Sequence, residues 1–331
     1  MTNVHAITII YRKRAEELKE EFKLTNYYPV DALKSPRFEG VPTFMRLPIE
    51  HDASKIDVAI VGIPFDTGTS YRPGARFGPR EIRVQSALIR PYNPVLDVDP
   101  FRQHKVADYG DISVNPFSIE DTFNGIRNEI ASMLKKGCLP ICVGGDHSIT
   151  YPILKAIAKK YGAVGLIHFD SHSDTLDTYF GVKYSHGTTF RRAIEEGLLI
   201  PDRCYQIGIR GQVYSKTDFD FAIEKGVKLI PMKELRRMSV DVFRKKVEPL
   251  VDVNTYISFD IDFVDPAFAP GTGTPQIGGA DSLFATELLQ SLKGLKIVGA
   301  DLVEVSPPYD SGGITSLLAA NLLYEILCIL Q

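Results

Sequence analysis

Seven short apolar runs constrain this chain more than any other feature. They are IDVAIVGIPFD (56–66), LPICVGG (139–145), AVGLIHFD (163–170), RCYQIGIRG (203–211), VKLIPM (227–232), TYISFDIDF (255–263) and LKIVGADLVEVS (295–306). A strand with one wet face alternates apolar and polar residues, whereas a near-continuous apolar strand is buried on both faces. Helix-like stretches separate them: PREIRVQSALIR (79–90), DHSITYPILKAIAKKYG (146–162) and HGTTFRRAIEEGLL (186–199), with GGITSLLAANLLYEILCIL (312–330) closing the chain. This alternation predicts an α/β fold with a central, mostly parallel sheet covered by helices on both faces. In such sheets ligands bind beyond the carboxyl ends of the strands.

The rest of the sequence narrows the class. A net charge of -3 offers no electrostatic footprint for nucleic acid or an anionic membrane. No apolar run approaches the ~20 residues of a membrane span, and the N-terminus has no signal-peptide pattern, so a cytoplasmic protein is expected. Cys138, Cys142, Cys204 and Cys328 are too few in so long a chain for a disulfide framework, and Cys138 and Cys142, flanking the start of an apolar strand, are read as buried free thiols. Residues 1–50 hold a charged helix, KRAEELKEEFK, and a Pro-rich segment, expected to form an arm on the body or on a neighbouring subunit. Residues 51–331 are expected to form a single catalytic domain.

Three of the strand ends carry ionisable residues. HFDSHSD sets Asp170, His172 and Asp174 at alternate positions after an apolar run; YISFDIDFVDP does the same with Asp260 and Asp262. Alternation predicts that each set projects from one side of its strand. LPICVGG breaks at two glycines and delivers Asp146 and His147 to a helix start. Four of the seven histidines fall between 147 and 186. Unpaired carboxylates crowded together repel and raise each other's pKa, so the group calls for cations. Two divalent ions would balance four aspartates. Oxygen-rich ligands with two imidazoles suit Mn²⁺, with Co²⁺ or Ni²⁺ as alternatives, better than the thiolate-rich sites of structural zinc. Two such ions share a water and lower its pKa toward neutrality.

The blocks GGDHS (144–148), DSHSDT (170–175), HGTTFRRAIEEGL (186–198), SFDIDFVDPAFAPGTGTPQIGG (258–279) and DLVEVSPPYD (301–310) resemble the signatures of the ureohydrolase family, which includes arginase and agmatinase. SPRFEGVPTFMRLP and FDTGTSYRPGARFGPREIR are closer to the agmatinase branch than to arginase. The resemblance implies a three-layer α/β/α fold, two Mn²⁺ per subunit and release of urea from a guanidinium. It places His147, Asp170, Asp174 and Asp260 on one ion, and Asp170, Asp260, His172 and Asp262 on the other. Asp-Ser-His-Ser-Asp stands where Asp-Ala-His-Thr-Asp is commoner, with every ligand kept. Asp170 counts as catalytic through its two ions.

The resemblance also implies that Glu304 holds the planar guanidinium, in two parallel charge-assisted bonds, and that His186 carries the proton to the departing amine. Asp146 is read as a helix cap, His168 as a core or supporting residue, and GARFGP and GTGTP as turns shaping the pocket. Thr274 and Tyr151 are candidate substrate contacts; Tyr179, Tyr184 and Arg191 are further candidates for the tail. The Ser-Gly-Asn element by which arginases hold an amino acid is missing, which argues against arginine. Agmatine, hydrolysed to putrescine, is the first expected substrate. Guanidinobutyrate, guanidinopropionate, and guanidine or an alkylated guanidine are the alternatives. A catalytically dead assembly subunit is a remote alternative, because no ligand, nor His186 or Glu304, is lost. The resemblance further implies a closed homo-oligomer, a hexamer, for which the residues themselves carry no local signal.

Overall fold

The computed structural model describes residues 26–331. The helix expected within the arm, KRAEELKEEFK, lies outside the described residues. Eight strands form one sheet: β1 (Val58–Ile63), β2 (Val106–Asp111), β3 (Leu139–Gly144), β4 (Val164–Phe169), β5 (Leu199–Ile207), β6 (Lys228–Ile230), β7 (Thr255–Asp260) and β8 (Ile297–Val303). Their order is β2-β1-β3-β8-β7-β4-β5-β6, and every pairing is parallel.

The strands alternate between two hydrophobic cores, which is what makes three layers. Ile60, Ile141, Ile167, Ile257 and Leu302 join one core with Leu288, Ala319, Leu322 and Leu323. Their neighbours Ala59, Val61, Cys142, Leu166, Tyr256 and Val303 join the other with Ile126, Ile130, Ile153, Ile157 and Phe190. The helices Ser282–Gln290 and Ile314–Cys328 thus cover one face, and Ile119–Lys135, Thr150–Tyr161 and Thr189–Glu195 the other. All four cysteines are buried and unpaired.

Two elements differ from expectation. Strand β2, VADYGD, turns polar in its second half, where Tyr109 and Gly110 are only part-buried and Asp111 is exposed. It is an edge strand, so its period is broken by solvent and the apolar signal is weak. The segment Ser311–Cys328 is long and apolar enough to cross a membrane by length and composition. Here it is the inner helix of the first core, buried on most sides by the sheet and the Gly78–Gln85 and Ser282–Gln290 helices.

The central strands β3, β8, β7 and β4 are consecutive neighbours. In register, Asp260 pairs with Val303 and Phe169 with Phe259. The residues that follow these ends (His147, Glu304, Asp260 to Asp262 and Asp170 to Asp174) therefore emerge side by side.

Candidate metal centre

Each strand end turns sharply, and the turn aims the ligands. After β3, Gly145 takes φ 53, and a side chain there would strike the carbonyl oxygens of Ile63 and Phe65. Asp146 then caps a short turn by accepting from Ser148 N at 2.9 Å, and its other oxygen takes Gly68 N at 2.7 Å. His147 follows, fully buried. Its Nδ1 has no hydrogen-bond partner but faces Asp174 Oδ2 at 2.9 Å, Asp170 Oδ2 at 3.2 Å and Asp260 Oδ2 at 3.3 Å. On its far side Nε2 meets Ser258 Oγ at 2.8 Å, and that hydroxyl donates to Asp301 Oδ1 at 2.6 Å. A hydroxyl that gives its proton to a carboxylate can only accept from the ring. Nε2 therefore carries the hydrogen, and Nδ1 is bare toward the three carboxylates.

The second grouping is built from Asp170, His172 and Asp262, whose ligand atoms all lie within 4.8 Å. His172 Nδ1 is 3.0 Å from Asp262 Oδ2 and 3.5 Å from Asp170 Oδ1. Asp170 thus presents one oxygen to each imidazole and belongs to both halves. Strict alternation does not produce this. Residues 170–174 are irregular: His172 N folds back onto Asp170 Oδ1 at 2.6 Å, and Asp174 is held at φ 52. Asp262 likewise sits in a 3-10 turn, its N–H on Asp260 Oδ1 at 2.8 Å.

The donor set fits cations. Burial, with the charges of Asp262 and Asp170, pushes the Asp260 carboxyl well above the usual range. Burial and Asp170 also raise Asp262, against the pull of His172. Without positive charge the cluster does not hold its full negative charge. An unpartnered, buried imidazole nitrogen facing three carboxylate oxygens is the geometry of a metal ligand.

Glu304 stands just beyond β8 with φ 65, a left-handed backbone for a non-glycine residue. Its N–H is held by Gly145 O at 2.8 Å. Oε1 accepts from His147 N at 2.9 Å and lies 3.1 Å from His186 Nδ1. Among the described residues, Oε2 is buried with no partner. The expected pair of parallel bonds from both oxygens is thus not what the geometry offers, because Oε1 already faces two nitrogens. Oε2 alone has both lone pairs open.

His186 opens a short turn before the Thr189–Glu195 helix. Its Nε2 lies 3.2 Å from Ser70 N and 2.7 Å from Ser70 Oγ. Burial alone would lower its pKa, but the hydrogen bond and charge of Glu304, with Asp174 and Asp146, push it up to about 9.

A cavity of about 780 Å³ opens over part of this cluster, with Glu304 behind its wall, 3.1 Å from His186 Nδ1. It is lined by His172, Asp174, His186, Asp260 and Thr274, and by Ser70, Arg72, Tyr179, Arg210, Tyr214 and Asp218. Thr274 Oγ1 lies 3.5 Å from Asp262 Oδ2. Tyr151 is not among the lining residues; its hydroxyl donates to Glu196 and its ring stacks on Tyr184, so the structure turns it away from any substrate. Arg191 is likewise committed, to Glu195 and the ring of Phe221. Of the tail candidates only Tyr179 reaches the cavity, hydroxyl to hydroxyl with Tyr214 at 2.8 Å. Ser70 and Tyr214 come from loops whose composition carries no signal of their role.

Fold and site together define an α/β enzyme with a two-part His/Asp centre at the ends of its central strands. The Arginase family model matches residues 56–328. The chain is 49% identical over 308 residues to a guanidinobutyrase of Pseudomonas aeruginosa, covering 92% of this chain and 97% of that protein. It is 49% identical over 292 residues to a mitochondrial agmatinase of Gallus gallus, covering 88% and 86%. The solved proclavaminate amidino hydrolase of Streptomyces clavuligerus superposes with TM-score 0.84 at 42% identity, covering 89% of this chain and 98% of that one. The chain belongs to the arginase family, the ureohydrolases, which hydrolyse C–N bonds.

Proposed function

We propose that this protein is a dinuclear manganese hydrolase that splits a short linear guanidino compound into urea and an amine. The observation that carries the reading is Glu304 Oε2, a buried carboxylate oxygen without a donor, on a residue whose Oε1 is tied to the backbone of the metal-ligand candidate His147. A guanidinium presents N–H donors and a positive charge, and satisfies that oxygen. When bound, two divalent ions on His147, Asp170, Asp174, Asp260, His172 and Asp262 supply a water activated at neutral pH. Glu304 orients the guanidinium plane. His186 and Ser70 Oγ form the path by which a proton reaches the departing amine.

The outer cavity bears on the tail. Outside the ligand cluster its lining has two cationic side chains, Arg72 and Arg210, and one carboxylate, Asp218. Arg72 lies over the rings of Tyr71 and Tyr309. Arg210 is tied to backbone carbonyls, including that of Asp262 at 2.6 Å. This balance supports an anionic tail, so a guanidino acid is the first substrate and agmatine the second.

The test is urea release by Mn²⁺-loaded protein from guanidinobutyrate, guanidinopropionate, agmatine, arginine and guanidine, repeated with Ni²⁺. The reading expects the guanidino acids to be hydrolysed fastest and arginine poorly. A clear preference for agmatine would overturn the tail assignment. No urea from any compound, with metal bound, would overturn the reading itself.

A further inference from the structure

Beneath the ligands a row of polar residues crosses the middle of the sheet. In register, Gln206 on β5 pairs with His168 on β4, His168 with Ser258 on β7, and Ser258 with Asp301 on β8. All four are at most 1% exposed. Polar side chains in so apolar a layer carry a cost unless each is bonded. Ser258 and Asp301 serve His147, as described. His168 and Gln206 have no part in the mechanism so far.

We propose that His168 is a positioning residue for Asp170, with its tautomer locked by Gln206. This rests on the reading of the cluster as a metal centre. His168 Nε2 lies 2.7 Å from Asp170 Oδ2, the oxygen that faces His147. Distance alone would also admit His168 as a ligand, since it groups with His147, Asp170 and Asp174. The hydrogen bonds decide otherwise. Gln206 Nε2 donates to the carbonyl of Ser173 at 2.5 Å. A carbonyl only accepts, so the amide nitrogen, not the oxygen, occupies that end of Gln206. The same nitrogen lies 3.3 Å from His168 Nδ1. As a donor it requires Nδ1 to accept, which leaves the ring hydrogen on Nε2.

An Nε2–H is a donor and binds no metal, so it points at Asp170. The ring has little freedom to choose another pose: it lies 4.2 Å, centroid to centroid, from Phe190 and 5.1 Å from His147. The effect is on Asp170, which presents one oxygen to each half of the centre. His168 holds Oδ2 while the backbone N–H of His172 holds Oδ1 at 2.6 Å. Together they fix the plane of the bridging carboxylate before any ion arrives. Partners of this kind are worth about 10- to 100-fold in metal affinity.

Two variants and one spectrum test this. His168→Phe keeps a ring and removes the donor; His168→Gln places an amide N–H near the position of Nε2. Equilibrium dialysis with electron paramagnetic resonance of free Mn²⁺ reads stoichiometry and affinity, and thermal unfolding confirms that each variant folds. Affinity is expected to fall roughly 10- to 100-fold in His168→Phe and to recover in large part in His168→Gln. Unchanged Mn²⁺ affinity in folded His168→Phe would overturn the inference, as would no recovery in folded His168→Gln. Should neither variant fold, ¹⁵N-histidine spectra of the wild-type protein decide: a His168 ring protonated on Nε2 and bare on Nδ1 supports the lock, and a ring protonated on Nδ1 overturns it. Wild-type protein that binds no Mn²⁺ is a separate result, and would overturn the metal centre.

Discussion

The backbone N–H of His147 donates to Oε1 of Glu304 at 2.9 Å, so the carboxylate proposed to receive a guanidinium is bonded to the residue that faces the carboxylates of the proposed metal centre. Two jobs that substitution experiments usually tangle, ion binding and substrate orientation, meet at one hydrogen bond. They separate again at the other ends of the two residues: Nδ1 of His147 looks into the carboxylates, and Oε2 of Glu304 has no partner.

The half of the centre nearer His172 is tested by Asp262→Asn. Asp262 Oδ1 accepts from Ser171 N at 3.1 Å and Ser171 Oγ at 2.7 Å, so its position is secured apart from any ion. A neutral amide is a poorer ligand than a carboxylate, and metal content should fall toward one ion per chain, with activity falling much further. Two tightly held ions and full activity would show that Asp262 is no ligand.

Gly273 marks the space in front of Glu304. A Cβ there would stand 3.4 Å from Glu304 Oε2 and 3.2 Å from the Arg72 carbonyl. Gly273→Ala adds one methyl beside the open oxygen without asking for a left-handed backbone. Crowding of this kind costs about 1–3 kcal/mol, so KM should rise roughly 10- to 100-fold with metal content unchanged. An unaltered KM would place the guanidinium elsewhere.

The charge on His186 gives a pH prediction for metal-stripped protein. Its pKa in the fold is raised to about 9, above the ordinary imidazole value of ~6.5. A raised value means that the charged ring stabilises the fold. That contribution is complete below about pH 6.5 and is lost as pH rises through about 9. Urea-unfolding midpoints should therefore drop more steeply over this window in the wild-type protein than in His186→Asn. Mn²⁺ brings positive charge to the neighbourhood and should shrink the difference. Identical pH slopes in the two metal-free proteins would contradict the assignment.

Much of this architecture can be read from the chain before any coordinates. Seven of the eight strands are announced by apolar runs, because buried parallel strands cannot afford polar alternation; the eighth, β2, is an edge strand whose exposed end hides it. Candidate ligands are visible as residue types at strand ends, but their grouping comes from the family resemblance and not from any local pattern. It depends on the fold-back of His172 N onto Asp170 and on left-handed Asp174, which no periodicity encodes. Ser70, Gln206 and Asp301 are invisible for a different reason: each acts on a residue distant in sequence, Gln206 and Asp301 across neighbouring strands and Ser70 from a loop. Tyr151 shows the reverse error, an aromatic next to a ligand motif whose helix turns it toward Glu196.

The most direct test of the account is Glu304→Gln, with kinetics and metal content measured on one preparation. If the amide oxygen keeps the His147 N–H, the amide nitrogen falls where Oε2 was and offers a donor to a donor. Charge-assisted hydrogen bonds are worth ~1.5–3 kcal/mol, so kcat/KM should fall at least roughly 10- to 100-fold while metal content stays near that of the wild-type protein. Unchanged kcat/KM with intact metal would contradict the account, and loss of the metal would make Glu304 part of the metal site instead of the guanidinium receptor.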